Sequence, residues 1–261
     1  MSLATKYRQL QDFFSEFDTI AIAYSGGVDS ALLLKVACDC LGVSNVLALT
    51  ATSPILPAYE KEYGQRLIAV LGVKQHFISS NDLALSEFAE NGEDRCYHCK
   101  FNIYSLFLEF LDPQYTLFDG SNFDDLAAHR PGKKALQQLN IRSPLLEAQL
   151  TKADVRELSQ QLKLAPWNKP AFSCLATRLP HGTKITVARL KQVGDCEEWL
   201  RLHDFTNYRV RYQQQLARIE VDPTEIDRLL NPTLRQEMVD SFKLNGFQYV
   251  TLDLQGYTVT T

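Results

Sequence analysis

Thr19-Ile20-Ala21-Ile22-Ala23-Tyr24-Ser25-Gly26-Gly27-Val28-Asp29-Ser30-Ala31-Leu32-Leu33-Leu34-Lys35-Val36-Ala37-Cys38 reads as strand, turn and helix in immediate succession. The first six residues are apolar and partly β-branched, the pattern of a buried strand. From Ala31 onward strong helix formers are apolar on almost every side, which predicts a helix packed deep against a sheet. Between them, Gly26 and Gly27 let the backbone come close to an anion, and the first-turn N–H groups and the helix dipole favour negative charge there. Ser25 and Ser30 offer hydroxyls, and Asp29 is suited either to hold a metal ion or to cap the helix. The turn lacks the Lys of G-x-x-x-x-G-K-[ST], so it is not the usual phosphate loop. An ordinary capping turn is the plain alternative.

Working outward, Leu10, Phe13 and Phe14 mark one face of a helix over 5–16, and 45–52 reads as a second strand. Strand, helix and strand form a βαβ unit, which predicts parallel neighbours joined by a right-handed crossover. Thr52, at the second strand's C-terminal end, then lies in the crevice where open α/β sheets bind ligands. A helix over 58–72, a strand over 74–80 and a strand over 115–120 ending at Gly120 follow. Thr151-Lys152-Ala153-Asp154 is a helix-start pattern. The expected fold is α/β, a doubly wound parallel sheet over residues 1–165. Pro166-Trp167-Asn168-Lys169-Pro170 breaks this pattern and opens a connector over 166–185. Residues 186–261 read as a small α+β domain: a helix to about His203, a hairpin over 208–212 and 217–221, a helix after Asp222-Pro223-Thr224-Glu225 with Glu225 as capping-box acid, and a last strand over 247–254.

At 261 residues with 45% hydrophobic content the chain has ample core material. A net charge of −4 argues against a general nucleic-acid coat or an anionic-membrane binder, while leaving room for a local basic pocket. No run approaches the ~18 apolar residues of a membrane span. The N-terminal residues carry no apolar core of signal-peptide type, so a cytoplasmic location is expected. Six cysteines in such a chain suggest thiols or metal ligands rather than disulfides.

Arg95-Cys96-Tyr97-His98-Cys99-Lys100 is the second informative stretch. C-x-x-C brings two thiolates onto one ion or cluster, and the flanking cations favour the thiolate form. Cys174, in Ser173-Cys174-Leu175-Ala176-Thr177-Arg178, offers a third ligand from the connector. A structural zinc wants four ligands and His98 is poorly placed to be the fourth, whereas three cysteines suit a 4Fe–4S cluster with one open iron. Three unrelated buried thiols are the bland alternative. Cys38, Cys40 and Cys196 read as core thiols, His76, His181 and His203 carry no ligand spacing, and Asp124 and Asp125 read as a cap or solvated loop.

The glycine turn resembles the pyrophosphate-binding loop of the PP-loop ATP-pyrophosphatase superfamily, whose members split ATP between its α and β phosphates. Ser-Gly-Gly-Val-Asp-Ser, Arg-Cys-Tyr-His-Cys-Lys, Asp119-Gly120-Ser121-Asn122, His129-Arg130-Pro131-Gly132 and Ser173-Cys174-Leu175-Ala176-Thr177-Arg178 together resemble the LarE family over essentially the whole chain. That resemblance implies an ATP-dependent sulfurtransferase acting on pyridinium-3,5-biscarboxylic acid mononucleotide in nickel-pincer nucleotide biosynthesis. It implies ATP at Ser25, Gly26, Gly27, Asp29, Ser30, Thr52 and Gly120, Mg²⁺ at Asp29, and a 4Fe–4S cluster at Cys96, Cys99 and Cys174. The implied partners are this small nucleotide substrate, a sulfide or other sulfur donor, and further copies of the chain in a homo-oligomer.

Arg178, Arg209 and Arg211 are candidates to bind the substrate's phosphate and carboxylates, because a planar fork matches both groups. Arg209 and Arg211 have strand parity and project to one face; a solvated arginine pair is the alternative. Arg130, beside Pro131-Gly132, either contacts phosphate or fixes the turn. Three other functions compete: a tRNA thiolase, against which stand the net charge and the lack of an RNA-binding module; an amide-forming ligase, which needs no cysteine trio; and a non-catalytic zinc module.

Overall fold

Ile20–Ala23 forms β1, an inner strand of a four-stranded sheet in a computed structural model that describes residues 1–127, 131–168 and 173–258. With β2 (Val46–Thr52), β3 (Lys74–Ser79) and β4 (Thr116–Phe118), the order is β3-β2-β1-β4, and every pairing is parallel. Ile20 is in register with both Val46 and Thr116. Side chains of β1 alternate between two apolar layers, as pleating requires. Ile20 and Ile22 enter a cluster with Leu10, Phe14, Leu32 and Leu158; Ala21 faces Tyr104, Phe107 and Leu136 on the other side.

Helices cover both faces, so Ile20, Ala21 and Ile22 are buried and β1 reads as an apolar run rather than an alternating one. On one side lie α1 (Leu3–Phe14), α2 (Val28–Leu41) and the Lys152–Gln161 helix; on the other lie the Arg95–Phe110 and Gly132–Gln138 helices. The strand order reverses between β1 and β4, which places the ends of both strands at the switch point. The Lys152–Gln161 helix starts as its sequence predicts: Thr151 Oγ1 accepts from Asp154 N at 3.2 Å while Asp154 accepts from Thr151 N at 2.9 Å.

The cysteine motif and the aromatic residues Tyr104 and Phe107 lie in the Arg95–Phe110 helix. They share one 16-residue helix because Tyr104 and Phe107 dock on the sheet and carry the motif as the helix's first turns.

A second sheet has the order β5-β6-β7, with β5 (Tyr208–Gln213) and β6 (Leu216–Val221) antiparallel and β7 (Tyr249–Leu252) parallel to β6. The Pro232–Leu244 helix makes the crossover that a parallel pair needs. Val210, Ala217, Ile219 and Val221 are fully buried, as are Val193 and Leu200 of the Val187–Leu202 helix. Glu225 departs from its expected capping-box role: its carboxylate accepts from Thr206 N at 3.2 Å and from Arg228 at 2.8 Å, so the ledge before β5 claims it instead.

Two compact units result, Met1–Asp82 with Asp94–Phe172, and Leu83–Glu93 with Ser173–Thr261. Leu83–Glu93 was expected in the first domain, and backbone pairing draws it to the second: Ile185 N donates to Ala89 O at 2.7 Å and Gly182 N to Asn91 O at 3.0 Å. No described helix is long and apolar enough to cross a membrane.

Candidate functional site

The glycine turn is closed by its two serines, and Gly27 N donates to Ser25 Oγ at 3.4 Å. Gly27 is the N-cap of α2, and no side chain caps the helix there. Ser30 Oγ donates to Gly27 O at 3.1 Å and accepts from Ser25 N at 3.2 Å, and the Ser25 and Ser30 hydroxyls are 3.2 Å apart. The first-turn N–H groups of α2 have no intrahelical acceptor, so the turn presents an anion cradle. Asp29 is not a cap. Its carboxylate accepts from Asn122 Nδ2 at 3.0 Å and forms an ion pair with Lys152 Nζ. Lys152 therefore puts an ammonium group at a turn that has no lysine of its own.

Two glycines let neighbouring backbones close on this turn. Gly26 has φ +76°, and a Cβ there would lie 3.1 Å from Gly64 Cα in α3 (Ala58–Leu71). A Cβ on Gly120 would lie 3.2 Å from Ser30 N and Cα, so the end of β4 rests directly on the turn. Tyr24 Oη donates to Gly64 O at 3.0 Å, and burial pushes its phenol above the usual value. Thr50 Oγ1 donates to Tyr24 O at 2.7 Å and accepts from Gln75 Nε2 at 2.9 Å, which anchors the end of β1 to β2 and β3. Thr52, at the end of β2, is half-buried, and its carbonyl accepts from Ser80 N at 2.9 Å.

Beyond Gly120's neighbour Asp119, the site reaches the cysteine helix. Asp119 is buried and accepts from Tyr104 Oη, from Ser121 N at 2.8 Å and from Ser121 Oγ, with Lys100 Nζ 3.1 Å away. Burial alone would raise its carboxyl pKa; the Lys100 ammonium and the Ser121 and Tyr104 donors outweigh it and hold the group below the usual carboxylate range. Lys100 directly follows Cys99. Cys96 is exposed and Cys99 half-buried, and three residues apart they share a helix face. His98 is turned to Asp94, 3.0 Å away, so it is engaged outside the thiol pair. Among the described residues, neither unit by itself gathers three metal-ligating side chains.

In the smaller unit Cys174 sits in a loop gripped by arginine. Arg178, 1% exposed, makes a bidentate pair with Glu197, also 1% exposed, at 2.7 and 2.9 Å. Its Nη1 donates to Ser173 O, Ser173 Oγ and Thr177 Oγ1 at 2.8 Å and to Cys174 O at 3.2 Å. This corrects the expectation that Arg178 binds substrate: its fork is turned inward and fixes the Cys174 loop. Glu197 also accepts from Val210 N at 2.9 Å, which ties the loop to β5.

Arg209 and Arg211 do share a face of β5, as their parity predicts. Arg211 makes a bidentate pair with Glu220 at 2.9 Å and donates to Thr177 O at 3.1 Å. Arg209 lies over the Tyr257 ring at 5.0 Å, and its guanidinium pKa is lowered by burial and then by Arg178. Arg218 joins these groups, reaching Glu220 at 3.0 Å and Asp253 at 3.6 Å. Arg130 lies outside the described residues.

Most of the plain readings hold, but Cys40, expected as a core thiol, is exposed. Burial pushes the Cys38 thiol up to about 12 and raises Cys196 further. Asp124 accepts from Lys152 N at 2.8 Å and Asp125 from Asn122 N at 3.0 Å, both as caps. Lys152, Gly64 and Glu197 are positions that sequence reasoning missed, and Asp119 was read only as part of a family motif. Lys152 also sat in a recognised pattern, but that pattern announced a helix start.

No family model matches the chain. It is 43% identical over 258 residues to an uncharacterized protein of Synechocystis, covering 98% of this chain and 96% of that one. It is 34% identical over 258 residues, 98% and 93% of the two chains, to the pyridinium-3,5-bisthiocarboxylic acid mononucleotide synthase of Lactiplantibacillus plantarum. An uncharacterized protein of Methanocaldococcus jannaschii is 29% identical over 244 residues, 91% and 90% of the two chains.

Proposed function

The chain belongs to the LarE family, and from that premise we propose that it is an ATP- and Mg²⁺-dependent sulfurtransferase. Its acceptor is pyridinium-3,5-biscarboxylic acid mononucleotide, whose carboxylates it converts to thiocarboxylates in nickel-pincer nucleotide biosynthesis. The observation that supports this reading most directly is the grip of arginines on the Cys174 loop. Arg178 holds the Cys174 carbonyl, Arg211 holds that of Thr177, and Arg209 carries a cation that burial and Arg178 both disfavour. An anion arriving at Arg209 relieves that penalty, which suits a small, multiply anionic acceptor. An amide-forming ligase needs the nucleotide turn and neither of these features.

In this reading an acceptor carboxylate oxygen attacks the α-phosphorus of ATP, the bond to the β-phosphate oxygen breaks, and pyrophosphate leaves. The first-turn N–H groups of α2, with Ser25, Ser30 and Lys152, balance the charge that develops on the phosphates. Asp29, released from Lys152, holds Mg²⁺, which neutralises phosphate charge when bound. Sulfide from the donor then adds to the acyl carbon, and AMP leaves with the electron pair of the broken C–O bond. Arg209 orients the substrate through one of its anionic groups, while Arg211, expected to do the same, is paired with Glu220 and holds the Thr177 carbonyl.

Cys96, exposed, and Cys99, half-buried on the same helix face, have the soft donors a cluster requires, and Cys174 is the third thiol of the set. A 4Fe–4S cluster on these three, when bound, supplies an iron without a protein ligand at which sulfur can be held. The reading includes a homo-oligomer and a cytoplasmic location.

The test is an anaerobic assay with iron, sulfide, ATP, Mg²⁺ and the pyridinium biscarboxylate nucleotide, followed by mass spectrometry. Thiocarboxylate and pyrophosphate are expected together from the wild type, and thiocarboxylate is expected to be lost in Cys174→Ala. Undiminished thiocarboxylate in the Cys96→Ala, Cys99→Ala, Cys174→Ala triple variant would sink the proposal. So would pyrophosphate release that depends on tRNA or on an amine acceptor.

A further inference from the structure

Four residues from three segments close a ring beside the glycine turn, all of them within the larger unit. Asp29, in the first turn of α2, accepts from Asn122 Nδ2 at 3.0 Å through Oδ1 and pairs with Lys152 Nζ through Oδ2. Asn122 Oδ1 accepts from Asp124 N at 3.0 Å, and Asp124 Oδ2 accepts from Lys152 N at 2.8 Å. The Lys152 main chain is thus pinned by Asp124 and by the Thr151–Asp154 cap, whose acid Lys6 also holds at 2.6 Å. What can move is the four-carbon stem, and the side chain is 33% exposed.

Asn122, 5% exposed, fixes the Asp29 carboxylate so that its amide takes one oxygen and the other faces the lysine. That second oxygen fits Mg²⁺, which takes hard carboxylate oxygens beside phosphates. An ammonium and a divalent cation on one oxygen repel each other, so Lys152 and a metal ion exclude one another there. A lysine ammonium has three donors and suits a phosphate as well as a carboxylate. An uncovered Asp29 would also repel phosphates arriving at the turn, and the lysine meets that need as well.

We propose that Lys152 ties metal binding at Asp29 to the arrival of nucleotide: its ammonium covers Asp29 until the phosphates of ATP draw it away, and only then does the carboxylate accept Mg²⁺. The proposal rests on the reading that ATP lies at the glycine turn with Asp29 as its metal ligand, and adds to it the order of binding and the residue that sets that order. Before nucleotide arrives, a cation reaching Asp29 must break the ion pair and leave the lysine with water alone. Once phosphate is present, the same lysine exchanges one anion for another and the charges at the turn stay close to balanced. The coupling is reciprocal, so a metal ion on Asp29 also keeps Lys152 on the phosphates.

The experiment uses the full chain as wild type, Lys152→Met, Asp29→Asn and the double variant, with Mn²⁺ alone titrated by electron paramagnetic resonance in the absence of nucleotide. Lys152→Met is expected to bind Mn²⁺ about fivefold or more tightly than wild type. Asp29→Asn should weaken Mn²⁺ binding less than about twofold in wild type, where Lys152 already covers the carboxylate, and about fivefold or more in the Lys152→Met background. A second titration, of ATP in EDTA, reads the other half of the exchange: Lys152→Met is expected to bind ATP about fivefold or more weakly than wild type. If Lys152→Met fails to fold, Lys152→Gln, which removes the charge and keeps a donor for Asp29, takes its place. Equal Mn²⁺ affinity in wild type and a folded Lys152 variant overturns the proposal, as does unchanged ATP affinity in EDTA. ATP that binds neither protein, with or without metal, refutes the nucleotide reading of the turn and the exchange that rests on it, while the Mn²⁺ series separately decides whether Lys152 covers Asp29.

Discussion

Asp119 keeps its charge in the interior because Tyr104, Ser121 and Lys100 all converge on it. A carboxylate held below its usual pKa contributes stability that is fully present above the unfolded value of about 3.9 and lost as pH falls through the folded value. Asp119→Asn should therefore lose about 2–3 kcal/mol at neutral pH, the worth of a buried charge-assisted bond. That gap should begin to shrink as pH drops below about 4, where the unfolded carboxyl protonates, and close as pH falls through the lower folded value. Urea unfolding of both proteins at pH 7, 5 and 3.5 checks this, and a gap independent of pH would refute it. Arg178 teaches the complementary lesson. Its residue type was read as a surface fork for substrate, but Glu197 lies 19 residues away and joins it only after the Val187–Leu202 helix folds back. An arginine's type is visible in a sequence; whether its donors face inward or outward depends on a partner that chain order conceals.

At the scale of elements, the glycine turn depends on what packs against it. Its strand, turn and helix were legible because hydrophobic pattern and two glycines are local signals. The close approach of α3 was not, because Gly64 is one unremarked glycine in an otherwise helical run. The contact is asymmetric in a way that can be measured. Gly26→Ala places a Cβ 3.1 Å from Gly64 Cα at φ +76°, and should cost about 1–2 kcal/mol for the left-handed backbone alone. Gly64→Ala meets Gly26 Cα at 3.4 Å, and the helix gains roughly 0.5–1 kcal/mol from alanine, so stability should barely change. Gly64→Leu has no room beside the turn and should weaken ATP binding at least tenfold, about 1.4 kcal/mol. Thermal unfolding and ATP titration of the three variants decide the matter; equal effects at Gly26 and Gly64 would rule the asymmetry out. The cysteine motif shows the same limit, since its helix is nucleated by Tyr104 and Phe107 docking on the sheet rather than by the motif itself.

For the whole molecule, two compact units divide the chemistry, with the anion cradle in one and the arginine face in the other. Ligand protection should divide likewise. In amide hydrogen exchange, ATP is expected to protect 25–30 and 116–121, and the pyridinium nucleotide to protect 173–178 and 208–212. ATP at a hundred times its Kd should stabilise the fold that binds it by about 2.7 kcal/mol. ATP protection confined to 173–178 and 208–212 would contradict the assignment of the cradle. By itself the sequence determined the α/β class, the strands around the glycine turn, the hairpin parity of Arg209 and Arg211, and the family, because each rests on local pattern or on residues read in order. Only the tertiary structure decided that Leu83–Glu93 joins the smaller unit, that Lys152 faces Asp29, that Asp119 links Lys100 to the end of β4, and that Arg178 turns inward to Glu197. Those are pairings between residues from 19 to 123 positions apart. Such partners are chosen by burial and charge once the layers have packed, and no periodicity along the chain encodes them.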